Sequence, residues 1–231
     1  MMIARSDGSA GGAAMLGVTP ARPLRWPLVA LAGLSVLAGC TTVVTGSAVK
    51  DPGAATVASW ACRAVSAQLT SIARKSPAEP QLRIPQPPGW RRFTTLDSKR
   101  VWYAMANDEL ASAGFPPTVV VGLESVPDAT DPQRALEQER AGLRRSLGAR
   151  ELTVRPTTVC GYRAESVTYP APAIGEIPAR EALSLVTVGT FGGKTYVATV
   201  TIQSTEPGNP TYARDAKTIL TGFQMLPPGS G

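Results

Sequence analysis

The sequence contains no histidine among its 231 residues. Catalytic Ser-His-Asp and Cys-His groups are therefore impossible within one chain, and the usual catalytic zinc sites are excluded too. Lys194 follows Gly192-Gly193, but the spacing of a phosphate-binding loop is missing. We therefore expect no catalytic residue, no metal site and no cofactor, and predict that the protein is not an enzyme.

Long runs of basic residues are also missing. The net charge is +6, yet the densest cluster is the pair Arg91–Arg92. Nucleic-acid binding normally requires a concentrated basic patch, so we expect no nucleic-acid partner. The mild positive charge favours anionic surfaces such as lipid head groups.

The only long apolar run is too short to span a membrane. It covers residues 27–39, after Arg22 and Arg25, whereas a spanning helix needs about 20 apolar residues. This pattern is typical of a secretory signal peptide, here residues 1–39, with Met15 as an alternative start to Met1.

The apolar run ends in Leu37-Ala38-Gly39-Cys40, which resembles the bacterial lipobox. Cys40 is thus the predicted lipidation site, carrying palmitate-type acyl chains, and residues 40–53 form a flexible tether. We expect the protein at the cell membrane, lipid-anchored on the extracytoplasmic face. An ordinary signal peptide ending near a cysteine is the alternative.

Two further cysteines remain, Cys62 and Cys160. Export to an oxidising compartment favours a disulfide between them. Two buried free thiols are the alternative.

The mature chain alternates strand and helix patterns. We predict a helix over residues 54–75, and Trp90–Phe93 and Val101–Met105 as a hairpin pair. The remaining signals are a strand over Pro117–Val126, a helix from Asp131-Pro132 to Gly148, two strands around Cys160-Gly161, a hairpin at Gly192-Gly193 and a helix opened by Asn209-Pro210. Strands joined by short turns predict a mainly antiparallel sheet, and residues 54–228 are expected to form one α+β domain.

The order of these motifs resembles a known family. The lipobox is followed by a threonine-rich tether, Pro85…Pro88-Gly89-Trp90, the Asp131-Pro132 helix start, Gly161-Tyr162 and the two later motifs. Together they are similar to the LpqN/LpqT family of mycobacterial lipoproteins. The resemblance implies a Mog1/PsbP-like α/β/α sandwich with a central antiparallel sheet, a place in an actinobacterial cell envelope, and no catalytic residues.

A ligand or partner surface is predicted from aromatic and basic residues near turns. Its candidates are Trp90, Arg91, Arg92 and Trp102, with the apolar loop Pro170–Pro178 as a lid carrying Ile174 and Ile177. Core packing is the alternative role for the aromatic residues.

Three functions follow from these observations. The favoured one is a non-catalytic module that binds an envelope lipid or protein and assists envelope assembly. The second is a hydrolase using carboxylates such as Glu176 and Glu181 on an envelope glycan or ester. The third is a structural scaffold of a membrane complex. The sequence leaves the oligomeric state open.

Overall fold

A computed structural model describes residues 62–126, 130–149 and 151–230. The signal peptide, Cys40 and the tether lie outside these residues. The described strands are β1 Gln68–Ile72, β2 Gln81–Gln86, β3 Arg91–Arg92, β4 Val101–Ala106, β5 Thr118–Val126, β6 Thr153–Val159, β7 Tyr162–Ala171, β8 Arg180–Phe191, β9 Lys194–Ser204 and β10 Gln224–Leu226. The helices are α1 Pro132–Leu147 and α2 Pro210–Gly222.

Seven strands form the main sheet, in the order β3-β4-β5-β9-β8-β7-β6, and every neighbouring pair is antiparallel. Two tight turns set its register. Gly192 and Gly193 have φ of 55° and 77°, and Cys160 and Gly161 have 49° and 84°. Two successive residues with positive φ match the twist of a hairpin. The hairpin predicted at Gly192-Gly193 and the two strands predicted around Cys160-Gly161 are confirmed.

The two faces of the main sheet are covered differently. On β9, Ala198, Val200 and Ile202 belong to the large core, which also contains residues of α2 and of the small sheet β1-β2-β10. Val197 faces the other way and packs with α1. A sheet with a helix on each face agrees with the predicted α+β sandwich.

Side-chain caps fix where both helices begin. The Asp131 carboxylate accepts a hydrogen bond from the Arg134 backbone N–H at 3.1 Å. The Asn209 side chain accepts from Thr211 and Tyr212 N–H at 3.0 and 3.2 Å. Gly148 ends α1 in the left-handed conformation, with φ of 63°. These local signals are sufficient to define helix ends, and both predicted helices are confirmed.

The predicted helix over residues 54–75 is wrong in its described part. The chain from Cys62 to Ala67 is irregular, and Gln68–Ile72 is a strand paired with β2. Ile72 is buried in the core while Leu69 is exposed. Pairing with a distant strand therefore overrides the helical spacing of the apolar residues.

A disulfide joins Cys62 to Cys160, across a separation of 98 residues. Cys160 is buried in the turn between β6 and β7, and Cys62 packs against the same core. The bond thus attaches the segment before β1 to the main sheet. No helix among the described residues is long and apolar enough to cross a membrane.

Candidate functional site

Trp90 is a core residue and does not contribute to an open surface. Its side chain is only 2% exposed, and its indole Nε1 donates to Asp215 Oδ2 of α2 at 3.0 Å. The Asp215 carboxylate is also buried, so each polar group satisfies the other. The prediction of Trp90 as a surface residue is corrected: it anchors α2 to the sheet.

The neighbouring arginines differ in exposure. Arg92 Nη2 lies 2.7 Å from both carboxylate oxygens of Asp97, and the Arg92 guanidinium lies 4.6 Å from the Tyr103 ring centroid. Arg91 is exposed, and both arginines line a hollow with Phe93 and Pro116. The charge of Arg92 is therefore engaged within the fold, and Arg91 alone remains open.

Trp102 lies apart from this hollow. Its ring is half-buried against the core, and Lys75 Nζ lies 4.4 Å from the ring centroid. The structure thus gives Trp90, Arg92 and Trp102 internal partners and does not unite them in one cleft.

The predicted lid is a short loop between β7 and β8. Ile174 and Ile177 exchange two backbone hydrogen bonds of 2.9 and 3.0 Å, and Gly175 between them has φ of 59°. Both isoleucine side chains are solvent-exposed, at 50% and 41%. Exposed isoleucines in a turn are energetically unfavourable in water, and such residues often mark a binding surface.

A groove of about 230 Å³ lies beneath this loop, on the same face of the sheet as α1. We call it the loop groove. Its apolar walls are Val120, Leu143, Ala171, Pro172 and Ile174, and its polar lining is Tyr169, Arg180, Thr201 and Gln203. Concave apolar walls with a few polar groups are the usual composition of a small-molecule site.

Arg180 is the charged residue of the loop groove. It begins β8, and its guanidinium donates from Nε to Gln203 Oε1 and from Nη1 to the Pro178 carbonyl at 3.2 Å. Its Cζ lies 5.4 Å from the Phe115 ring centroid. Partial burial lowers the pKa of the Arg180 guanidinium from its usual value. Sequence reasoning missed this residue, although it directly follows the apolar loop.

Hydroxyl groups form the floor of the loop groove. Tyr169 is buried and hydrogen-bonds Ser184, whose Oγ lies 2.8 Å from Thr201 Oγ1. Burial raises the pKa of the Tyr169 hydroxyl. The floor is thus neutral and hydrogen-bonded, and among the described residues that line the groove only Arg180 is charged.

The carboxylates considered for hydrolysis do not form a pair in the structure. Glu176 is exposed in the loop, whereas Glu181 lies near Tyr212 of α2, where burial, with a smaller contribution from Glu181, raises the pKa of the Tyr212 hydroxyl. Elsewhere, burial and the nearby Glu124 raise the pKa of Glu139 on α1. No group of three or more metal-ligating side chains occurs within residues 62–126, 130–149 and 151–230.

The family of the chain follows from a match to a family model. The model described as probable lipoprotein LpqN matches residues 62–226. The chain belongs to this family. The prediction from the order of motifs is thereby confirmed, and the match includes both Cys62 and the loop groove.

The fold resembles that of a solved LpqN structure. LpqN of Mycobacterium tuberculosis, described as involved in cell envelope biogenesis, has a TM-score of 0.56 at 19% identity, covering 69% of this chain and 91% of its own. Similarity to PsbP of Synechocystis is weaker, at TM-score 0.44 and 18% identity over 72% and 98% of the two chains. Mog1 of Saccharomyces cerevisiae has a TM-score of 0.43 at 15% identity, covering 70% of this chain and 97% of its own. No curated protein matches the sequence significantly.

Proposed function

We propose that this LpqN-family chain is a non-catalytic binding module of the cell envelope. In this proposal Cys40 carries the lipid anchor on the extracytoplasmic face of the membrane. The loop groove holds the alkyl chain of an envelope amphiphile and presents it during envelope assembly. The groove geometry favours a lipid over a protein partner, because a narrow concave site suits one chain rather than a broad interface.

One observation carries the proposal. Ile174 is half-exposed and lines a groove together with the apolar side chains of Val120, Leu143, Ala171 and Pro172. A bound alkyl chain would remove these apolar walls from water. Burial of apolar surface is worth about 25 cal/mol per Å², so this gain drives binding without a specific polar contact.

Two further facts are consistent with this role. LpqN of Mycobacterium tuberculosis is described as involved in cell envelope biogenesis. The lipobox-like Leu37-Ala38-Gly39-Cys40 would keep the domain close to the amphiphiles of one membrane. A tethered module samples a high local concentration of such ligands, so modest affinity is sufficient.

Binding of alkanols of increasing length tests the proposal. The titrations use the chain from Thr41 to Gly231, which contains every described residue. Each buried methylene contributes about 0.8 kcal/mol, so affinity should rise about fifteenfold from hexanol to octanol and again to decanol. Isothermal titration calorimetry measures the series.

A charged variant of the loop locates the site. Ile174→Asp should weaken decanol binding by about 1 kcal/mol or more, because it removes an apolar wall of the groove. Leu96→Asp is the matched control, since Leu96 is an equally exposed apolar residue, at 46%, outside the groove. Affinity independent of alkyl length, or equal loss in the Leu96 variant, would refute the proposal.

A further inference from the structure

Among the described residues, Arg180 forms no salt bridge, although Glu151 and Glu181 line a second hollow together with it. Every hydrogen bond that Arg180 makes goes to a neutral acceptor: Gln203 Oε1 and the carbonyls of Pro178 and Pro172. The salt bridges of the described residues involve other arginines: Arg92, Arg140 and Arg214. The Arg180 guanidinium is partly removed from water and bonds only neutral acceptors. Its positive charge is therefore neither fully hydrated nor paired with a negative charge.

The same bonds hold the guanidinium in one orientation. Nε and Nη1 are occupied, and the Phe115 ring lies against the group. Among the described residues, neither Arg180 Nη2 nor the Gln203 amide nitrogen has an acceptor, and the Gln203 amide oxygen accepts from Arg180 Nε. Two donors at the edge of the loop groove are thus fixed in place before any ligand arrives, which reduces the entropic cost of binding.

An acidic group supplied by a ligand would complete this arrangement. Hydrogen bonds between a guanidinium and a carboxylate or phosphate are about twice as strong as those between neutral groups. Val120, Leu143 and Ile174 line the same groove as Arg180 and Gln203. A molecule that uses both features has an anionic oxygen head and an alkyl chain.

We propose that the loop groove is selective for single-chain anionic amphiphiles, whose carboxylate or phosphate head binds Arg180 Nη2 and the Gln203 amide. This inference rests on the proposed function and adds the class of ligand. The charge complementarity excludes a cationic amphiphile and disfavours a neutral one, because neither offsets the desolvated charge of Arg180.

Matched ten-carbon ligands test the head group. Decanoate, decyl phosphate and decanol are titrated into the chain from Thr41 to Gly231 by calorimetry below their critical micelle concentrations. Decanoate and decyl phosphate should bind about tenfold to a hundredfold more tightly than decanol, the factor expected for a hydrogen bond to a charged group. Acetate and inorganic phosphate, which lack the chain, should not bind measurably.

Variants assign the preference to Arg180. Arg180→Gln should reduce the affinity for both anions to that for decanol, and Arg180→Lys should retain part of the preference. Arg134→Gln is the charge-matched control, because Arg134 is exposed at the start of α1 outside the groove, and it should retain the full preference. An unchanged decanol affinity shows that the groove of each variant is intact.

Salt dependence in the unmodified chain provides a test that does not require a variant to fold. Raising the ionic strength should weaken decanoate binding and leave decanol binding unchanged. Equal affinity for decanoate and decanol, or a preference that survives in Arg180→Gln, would overturn the inference while the alkyl site stands. If no ten-carbon ligand binds, both the inference and the proposed function are wrong.

Discussion

Removal of the Cys62–Cys160 disulfide should greatly destabilise the domain. The bond closes a loop with a sequence separation of 98 residues. Chain-entropy reasoning gives about 4.7 kcal/mol of stabilisation for a loop of this size, because the cross-link restricts the unfolded chain. That amount is a large fraction of the roughly 5–15 kcal/mol by which ordinary domains are stable.

Urea denaturation measures the effect. The double variant Cys62→Ala with Cys160→Ala should lose about 4–5 kcal/mol in the free energy of unfolding, and reduction of the unmodified chain should give nearly the same loss. Agreement between the two would separate the cross-link from the packing of the sulfur atoms. Both cysteines are needed for the bond, so the single variants should be as unstable as the double one.

The reasoning makes a second measurable claim. Because the bond acts on the unfolded state, its removal should also increase the denaturant m-value as more surface becomes exposed on unfolding. A loss below about 1 kcal/mol in the double variant would refute the entropic account. A loss in the alanine variant that reduction does not reproduce would instead assign the effect to packing.

Two other predictions concern packing and charge. Gly222→Ala should destabilise the domain by about 1–3 kcal/mol, since the new Cβ would lie 2.5 Å from a Val65 methyl. Gly142→Ala in α1 should stabilise the domain by about 0.8 kcal/mol, because its Cβ would have no neighbour within 4 Å. Thermal unfolding measures both changes. Burial and Glu124 raise the pKa of Glu139, so Glu139→Gln should increase stability at pH 7, measured by urea denaturation across pH.

The sign of the pH effect follows from proton linkage. A carboxyl whose pKa is raised on folding binds its proton more tightly in the folded state, so stability is present at low pH and is lost as the pH rises through the raised pKa. The advantage of Glu139→Gln should therefore vanish below the usual pKa of glutamate. Glu151→Gln is the control, at an exposed position, and should show no such trend. An advantage for Glu139→Gln that persists unchanged at acidic pH would contradict the assignment.

Local signals were sufficient for most of the fold. The Gly192-Gly193 pair predicts a hairpin, because a two-residue turn needs positive φ at both positions and glycine adopts it readily. Asp131 and Asn209 predict the helix starts, because capping involves only the next three residues. The error at residues 68–72 has the opposite origin, since β1 exists through its pairing with β2.

The site was only partly predictable for a related reason. The loop with Ile174 and Ile177 is a local feature, and its apolar exposure follows from composition. Arg180 becomes a site residue only when the register of β8 and β9 brings it to Gln203. Trp90 is hidden from solvent because Asp215, 125 residues further along the chain, bonds its indole. A contact between residues this far apart in the sequence cannot be predicted from a local pattern of residues.

The disulfide also determines where a mechanical load would enter the domain. A pull applied from the N-terminal side of Cys62 divides between the backbone toward β1 and the covalent bond to Cys160. β1 is the edge strand of the small sheet and would otherwise be peeled from β2 one hydrogen bond at a time. With the bond in place, tension passes directly to the turn between β6 and β7. If the proposed anchor at Cys40 is correct, the domain can resist traction from the membrane without losing β1 from that end.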